Sequence, residues 1–263
     1  ADHRERFRLL DAAAKVHVER RLDHAAAVPF LEQSVELEPE DASLRLRLAE
    51  ALMNSSRHAD AVTVLKTQLE RYGTRRPKER AIVHFALARA LLGLREEASA
   101  LEELVLASRI DPAHPGILYM QARLSLEMGE LARAERTYRA LLLVLGRHDD
   151  ANAPSRAEAL IDLSIIATKN QDQQRASESI ESAFEAGAES TRESLALERG
   201  LRSLGRVDLL GRALRERLER TQDAGQSALA LAELTRLHAE SLGDLREVMA
   251  ELRKRAETVE SEL

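Results

Sequence analysis

Residues 81–114 read AIVHFALARALLGLREEASALEELVLASRIDPAH. Within them a small residue, Ala100, is followed four positions later by a large apolar one, Leu104, and a second small residue, Ala88, lies twelve positions before Ala100. Small residues at this spacing let two antiparallel helices approach closely, because a larger side chain would overpack the contact at about 1–3 kcal/mol. Pro112 ends the second helix, since proline cannot continue a helix and restricts the residue before it. The stretch therefore predicts a helical hairpin.

The pairing of a small residue with a large apolar residue recurs along the chain, with two looser versions near the C-terminus. Its first members lie at positions 27, 61, 100, 134, 176, 210 and 248, so the intervals are 34, 39, 34, 42, 34 and 38 residues. Three of the six intervals are equal and none is shorter, which indicates an array of repeated structural units. The pairs are Ala27/Leu31, Ala61/Leu65, Ala100/Leu104, Ala134/Tyr138, Ala176/Ile180, Leu210/Leu214 and Val248/Leu252.

The small partner on the preceding helix recurs in the middle units. The corresponding position holds Lys15 in the first unit and Glu198 in the sixth, so these two units depart from the pattern. The residues that follow the pattern are Ala49, Ala88, Ala122 and Ser164.

Prolines and glycines mark the turns between the predicted helices. Pro39 ends a second helix, and Gly129, Gly205 and Gly243 lie where a left-handed residue would end the first helix of a unit. Pro29 falls within the first two turns of the second helix of the first unit. We expect it to delay or kink that helix.

The composition argues against several kinds of site. The chain has no Cys, so disulfides, thiolate zinc sites and Cys nucleophiles are ruled out. Its net charge of −6 lacks the basic excess of a dedicated nucleic-acid binder, and no apolar run reaches the ~18 residues of a membrane span. The sequence also lacks a Gly-rich phosphate loop, a nucleophile elbow and a helical His metal motif. We expect no enzymatic activity, no catalytic residue, no cofactor, no metal, no nucleic-acid partner and no membrane insertion.

These residues resemble the tetratricopeptide repeat family, whose period is 34 residues. The pentatricopeptide class, which binds RNA, is a rival that the acidic balance disfavours. Arginine far outnumbers lysine, as in GC-rich bacterial genomes, so we expect a bacterial protein, and without a secretory signal a cytoplasmic one. The best-matching stretch is residues 81–114, through Leu87, Ala88, Leu91, Ala100, Leu104, Ala107 and Pro112.

The resemblance implies an all-α fold, a single right-handed α-solenoid of about seven helical hairpins over residues 1–263. A charged helix at Asp244–Leu263 would cap its C-terminal end. The register carries about five extra residues around 75–80 and about eight around 148–154, which we expect to form longer connections. The hairpins are predicted near residues 8–41, 42–75, 81–114, 115–148, 157–190, 191–224 and 228–263.

The resemblance also implies a concave face lined by the first helix of each hairpin, at its fifth, ninth and twelfth positions. An apolar strip flanked by arginines suits an amphipathic helix or an extended acidic segment, although packing between repeats is the alternative role for each apolar member. The Lys and Asn with which some family members hold a C-terminal carboxylate are absent from these positions. The expected protein-binding residues are Leu46, Phe85, Tyr119 and Ile161 in the strip, with Arg89, Arg123, Arg199 and Arg202 beside it.

Three functions are compatible with this prediction. The leading one is a scaffold or adaptor that binds a peptide segment or small protein domain in its concave groove. The second is the helical arm of a larger enzyme or regulator whose catalytic or output domain lies outside this chain. The third is a structural role through self-association of the terminal helices.

Overall fold

The computed structural model describes residues 2–75, 77–146, 153–221 and 223–242, together with residues 246, 249, 250 and 253. Across these residues every regular element is helical, and no β-strand occurs. Two short π-helical turns, Val16–Arg20 and His238–Leu242, extend the ends of two α-helices. The α-helices of this described part are α1 (His3–Lys15), α2 (His24–Leu37), α3 (Ala42–Asn54), α4 (His58–Tyr72), α5 (Pro77–Gly93), α6 (Glu97–Ile110), α7 (Pro115–Glu127), α8 (Leu131–Leu145), α9 (Arg156–Lys169), α10 (Gln173–Glu189), α11 (Thr191–Ser203), α12 (Val207–Arg220) and α13 (Ala224–Leu237).

The chain divides into two compact units, Ala1–Thr137 and Tyr138–Leu263, with the boundary inside α8. In unit 1 each helix from α1 to α7 packs against the next, and α3 also contacts α5. In unit 2 the same holds from α9 to α13, and α9 also contacts α11. Both units are therefore built from consecutive antiparallel helices, whereas a single array over residues 1–263 stays a prediction.

The cores are built from the small and large apolar residues that the spacing singles out. In the third hairpin Ala88, Ala100 and Leu104 are all completely buried, as the close approach of α5 and α6 requires. The corresponding pairs of the other hairpins from Ala27/Leu31 to Leu210/Leu214 are buried too. Val248 and Leu252 lie outside the described residues.

The two departures from the small-residue pattern have different outcomes. In the first hairpin the buried small residue is Ala14, and Lys15 is exposed and pairs with Asp11 at 2.9 Å. The prediction for that hairpin was therefore one residue out of register. In the sixth hairpin Glu198 does occupy the buried position, where it forms an ion pair with Arg217 of α12.

The turn inside each hairpin uses a residue with positive φ. Gly129 (φ 79°) and Gly205 (φ 65°) have the left-handed conformation that the sequence predicts, and Gly243 lies outside the described residues. Four further turns place a non-glycine residue in this conformation, although it is unfavourable for a residue with a β-carbon. Those residues are Leu22, Ser56, Arg95 and Gln171.

Two expectations about prolines can be compared with the structure. Helix α2 begins at His24 and continues through Pro29 to Leu37, so Pro29 does not delay this helix, and a kink at Pro29 stays a prediction. Pro77 is the first residue of α5, and the extra residues of this region lengthen that helix to 17 residues instead of forming a long connection. Of the second insertion, residues 147–152 lie outside the described residues, as does most of the expected capping helix at 244–263. Among the helices that the structure describes, none is long and apolar enough to span a bilayer.

Candidate functional site

The first helices of three successive hairpins position the predicted binding residues of unit 1. Residues spaced three, four or seven apart share one face of a helix. Leu46 and Glu50 therefore share a face of α3, Phe85 and Arg89 share one of α5, and Tyr119 and Arg123 share one of α7. Helix α5 contacts α3, and Phe85 of α5 lies beside Gly116 at the start of α7.

Phe85 is half-buried and packs at the junction of α5 and α7. A β-carbon on Gly116 would lie 3.6 Å from Cζ of the Phe85 ring, so glycine leaves room for the ring beside α7. The His114 ring also lies beside Phe85, with 5.7 Å between the ring centroids. Leu46 is also half-buried and packs on the core. Both side chains therefore serve packing between hairpins and still present a part of their surface to solvent.

Ile82 lies on the same face of α5 as Phe85 and Arg89, and the sequence analysis missed this apolar residue. It precedes Phe85 by three residues on α5 and is 47% exposed. It stands one position after the predicted start of its hairpin, whereas the resemblance pointed to the fifth, ninth and twelfth positions. Helical spacing from Phe85 and Arg89 would have identified it, because 82, 85 and 89 lie on one face.

Arg89 joins α5 to α3 through a bidentate ion pair. Its two terminal nitrogens donate to the carboxylate oxygens of Glu50 at 3.0 and 3.1 Å. Both side chains are more than a third exposed, and pairs of this kind contribute about 0.2–1 kcal/mol. Arg89 is thus held in place on the face, with its charge balanced by an adjacent carboxylate.

Tyr119 and Arg123 form a local cluster on α7. The Arg123 guanidinium lies 5.7 Å from the Tyr119 ring centroid and donates to the phenolic oxygen at 3.3 Å. Glu127, one turn further, lies 3.5 Å from the same guanidinium. In unit 1 each predicted arginine therefore has a glutamate beside it, so these ion pairs leave the face close to neutral.

The structure corrects the prediction that Ile161 belongs to the exposed apolar strip. Ile161 is only 2% exposed and belongs to the core of unit 2. A β-carbon on Gly200 of α11 would lie 3.1 Å from Ile161, which means that α11 covers the side chain closely. Ile161 is therefore a packing residue, and the predicted apolar strip loses this member.

Arg199 and Arg202 lie exposed on α11 in unit 2. Arg202 donates to Glu233 of α13 at 2.9 Å, and Arg236 of α13 donates to the same carboxylate oxygen at 2.9 Å. Two arginines, Arg202 and Arg236, thus share one glutamate, and the exposed Arg199 lies one helical turn before Arg202 on α11.

Two surfaces follow from this geometry. The first, called the α3–α5–α7 face, combines exposed or half-buried apolar side chains with paired charges. The second, called the α11–α13 basic patch, consists of Arg199, Arg202, Arg236 and Glu233. The residues of the α3–α5–α7 face are Leu46, Glu50, Ile82, Phe85, Arg89, Tyr119 and Arg123.

A family model described as tetratricopeptide repeat matches residues 23–78, which span α2 to the start of α5. No curated protein sequence matches the chain. This match agrees with the resemblance to tetratricopeptide repeats over residues 23–78.

Solved structures of tetratricopeptide repeat proteins are similar in fold. One from Parabacteroides merdae is 14% identical with a TM-score of 0.60 and covers 95% of this chain and 98% of its own. MamA from Desulfovibrio magneticus is 16% identical with a TM-score of 0.57 and covers 71% of this chain and 96% of its own. YrrB, described as having an unusual peptide-binding site, is 16% identical with a TM-score of 0.51 and covers 68% of this chain and 86% of its own. These similarities confirm the predicted all-α class of helical-hairpin repeats.

Proposed function

We propose that this chain, whose helical hairpins are tetratricopeptide repeats, is a protein-interaction scaffold that binds an amphipathic segment of a partner on its α3–α5–α7 face. The observation that carries the proposal is the exposure of Ile82 beside half-buried Leu46, Phe85 and Tyr119. A helix of a partner that covered these side chains would remove apolar surface from water, which favours association by about 25 cal/mol per Å². The peptide-binding site named for YrrB agrees with this proposal.

The charges of the face favour an amphipathic occupant over a uniformly acidic one. Arg89 is balanced by Glu50, and Arg123 by Glu127. Exposed ion pairs of this kind rearrange at little cost, so donors and acceptors of a partner can both find counterparts at the edges of the apolar strip. Complementary charges at such an edge set orientation and specificity more than affinity.

The α11–α13 basic patch is proposed to bind the acidic part of a partner. Arg199 and Arg202 are exposed there, and Glu233 is shared between Arg202 and Arg236. Arginine matches carboxylates in a bidentate geometry, so an acidic segment suits this surface.

A peptide selection tests the proposal for unit 1. A random peptide library is selected on the folded chain, and the dissociation constants of the enriched peptides are then measured for wild type, Ile82→Glu and Leu106→Glu. Leu106 lies on α6, the second helix of the same hairpin, and its 40% exposure is close to the 47% of Ile82. We expect Ile82→Glu to weaken binding about tenfold or more, and Leu106→Glu to leave it unchanged.

The stability of both variants is the control. An exposed substitution changes the free energy of unfolding by about 0.5 kcal/mol or less, so both should melt close to wild type. Ile82 is a better site for this test than Phe85, because truncation of Phe85 would also disturb the contact of α5 with Gly116. Peptides that bind Ile82→Glu and wild type equally well would show that the α3–α5–α7 face is not the docking surface.

A further inference from the structure

An arginine-lined cavity of about 160 Å³ lies between the start of α3 and the end of α4. It belongs to unit 1 and involves no residue of the α3–α5–α7 face. The cavity is lined by Pro39, Glu40, Arg45, Gln68, Arg71, Tyr72 and Arg75.

Arg45 is a buried cation whose direct contacts are neutral. It is only 5% exposed, and its guanidinium donates to the side-chain oxygen of Gln68 at 3.0 Å and to the backbone carbonyl of Pro39. A buried charge is normally paired with an opposite charge, because neutral acceptors compensate only part of the lost hydration. The burial of Arg45, followed by the charge of Arg71, lowers its pKa from the usual value.

Two further arginines line the same cavity. Arg71 donates to the Pro39 carbonyl at 3.0 Å and reaches Glu40 at 3.3 Å, but the Glu40 side chain is 94% exposed and therefore well hydrated. Asp41, the other nearby carboxylate, accepts bonds from the backbone nitrogen and hydroxyl of Ser43 at the start of α3. Three guanidinium groups thus face two carboxylates, of which one is largely in water and the other caps a helix.

We propose that this cavity binds a phosphate-type oxyanion, held by Arg71 and Arg75 at its mouth and by the charge of buried Arg45 at its base. Guanidinium groups present several donors in fixed planes, which is the geometry that tetrahedral oxyanions bind in a bidentate manner. The oxyanion supplies the negative charge that Arg45 lacks among its direct contacts. The proposal is independent of partner binding by the α3–α5–α7 face.

An NMR titration of the full chain tests this site. Inorganic phosphate is added at constant ionic strength, against sodium chloride, and the backbone amide shifts around residues 39–45 and 68–75 are followed. We expect saturable shifts confined to these two segments with phosphate. Absence of saturable shifts, or saturation by acetate without saturation by phosphate, would overturn the proposal.

Arginine variants at the mouth of the cavity localise the effect without disturbing the buried residue. Arg71→Ala removes a partly exposed guanidinium from the last turn of α4, and Arg109→Ala removes an exposed one from the last turn of α6 as the matched control. Loss of one charge-assisted hydrogen bond should weaken phosphate binding roughly tenfold in Arg71→Ala, and Arg109→Ala should bind like wild type. Equal affinity in the two variants, with both folded by circular dichroism, contradicts the assignment.

Discussion

Loss of the buried ion pair between α11 and α12 is predicted to be the most damaging single change in unit 2. The Arg217 guanidinium donates to both oxygens of Glu198, at 2.7 and 3.1 Å, and the two side chains are 6% and 5% exposed. Removal of one partner from a buried pair leaves an uncompensated charge and costs about 3–5 kcal/mol. Glu198→Ala and Arg217→Ala are both expected to lose stability in this range at neutral pH.

The two single variants should differ in their dependence on pH. Burial raises the pKa of Glu198 above its usual 4.5 even though Arg217 lowers it. In Arg217→Ala the effect of Arg217 on the pKa of Glu198 is lost, so this pKa rises further in the folded state. Glu198 of the folded variant is then protonated at a pH at which the same carboxyl is ionised in the unfolded chain. The loss of stability relative to wild type therefore shrinks as the pH falls through the raised pKa of Glu198 in the variant toward the lower pKa of Glu198 in wild type, by up to about 1.36 kcal/mol per unit. Glu198→Ala has no such relief, because the remaining guanidinium does not release its proton.

Hydrogen exchange measured by mass spectrometry can follow α11 and α12 directly. A loss of 3–5 kcal/mol corresponds to a rise in amide exchange of roughly two to three and a half orders of magnitude, after correction for intrinsic rates. The double variant Glu198→Ala/Arg217→Ala places alanine at both positions, as α5 and α6 do with Ala88 and Ala107. It should lose less than the two single variants together, by about 2 kcal/mol or more. Amide exchange rates that rise less than about tenfold in the single variants would refute this reasoning. A loss of stability in Arg217→Ala that does not depend on pH would refute it too.

Two further predictions concern the close contacts of unit 1, and thermal melting followed by circular dichroism checks both. Ala100 is completely buried between α5 and α6, so Ala100→Leu should overpack the contact and destabilise the fold by about 1–3 kcal/mol; an unchanged melting temperature would exclude the close approach. A β-carbon at Gly93 would overlap the His58 ring, so Gly93→Ala should also destabilise. The added change His58→Ala should restore part of that loss, and an equal loss in the double variant would show that the ring is not the obstacle.

The fold was predictable from the sequence because one physical constraint repeats. Two helices that cross closely need small residues at the crossing, and Ala88 with Ala100 shows that requirement in a single stretch. The first hairpin was missed by one residue, since a π-helical turn follows α1 and Ala14 packs where Lys15 was expected. In the sixth hairpin an ion pair between Glu198 and Arg217 takes the place of two small residues. Arg217 lies on a different helix from Glu198, and the spacing of residues alone does not identify it as the partner.

The candidate site was less predictable, because exposure depends on the neighbouring helix. Ile161 and Phe85 occupy equivalent positions, yet Gly200 of α11 covers the first while the second stays half-exposed at Gly116 of α7. Pairing of Arg89 with Glu50 likewise depends on the contact of α5 with α3. Sequence identifies the residues that share a face of one helix, but the exposed area of each side chain is set by what packs beside it.

The most direct test of the proposed scaffold function uses the absence of cysteine in the chain. Single-cysteine variants Ile82→Cys and Leu106→Cys each carry one photoactivatable crosslinker, and adducts with the selected peptides are located by mass spectrometry. If the α3–α5–α7 face is the docking surface, position 82 forms adducts and position 106 does not. Equal yields at the two positions, or adducts only at position 106, would contradict the account.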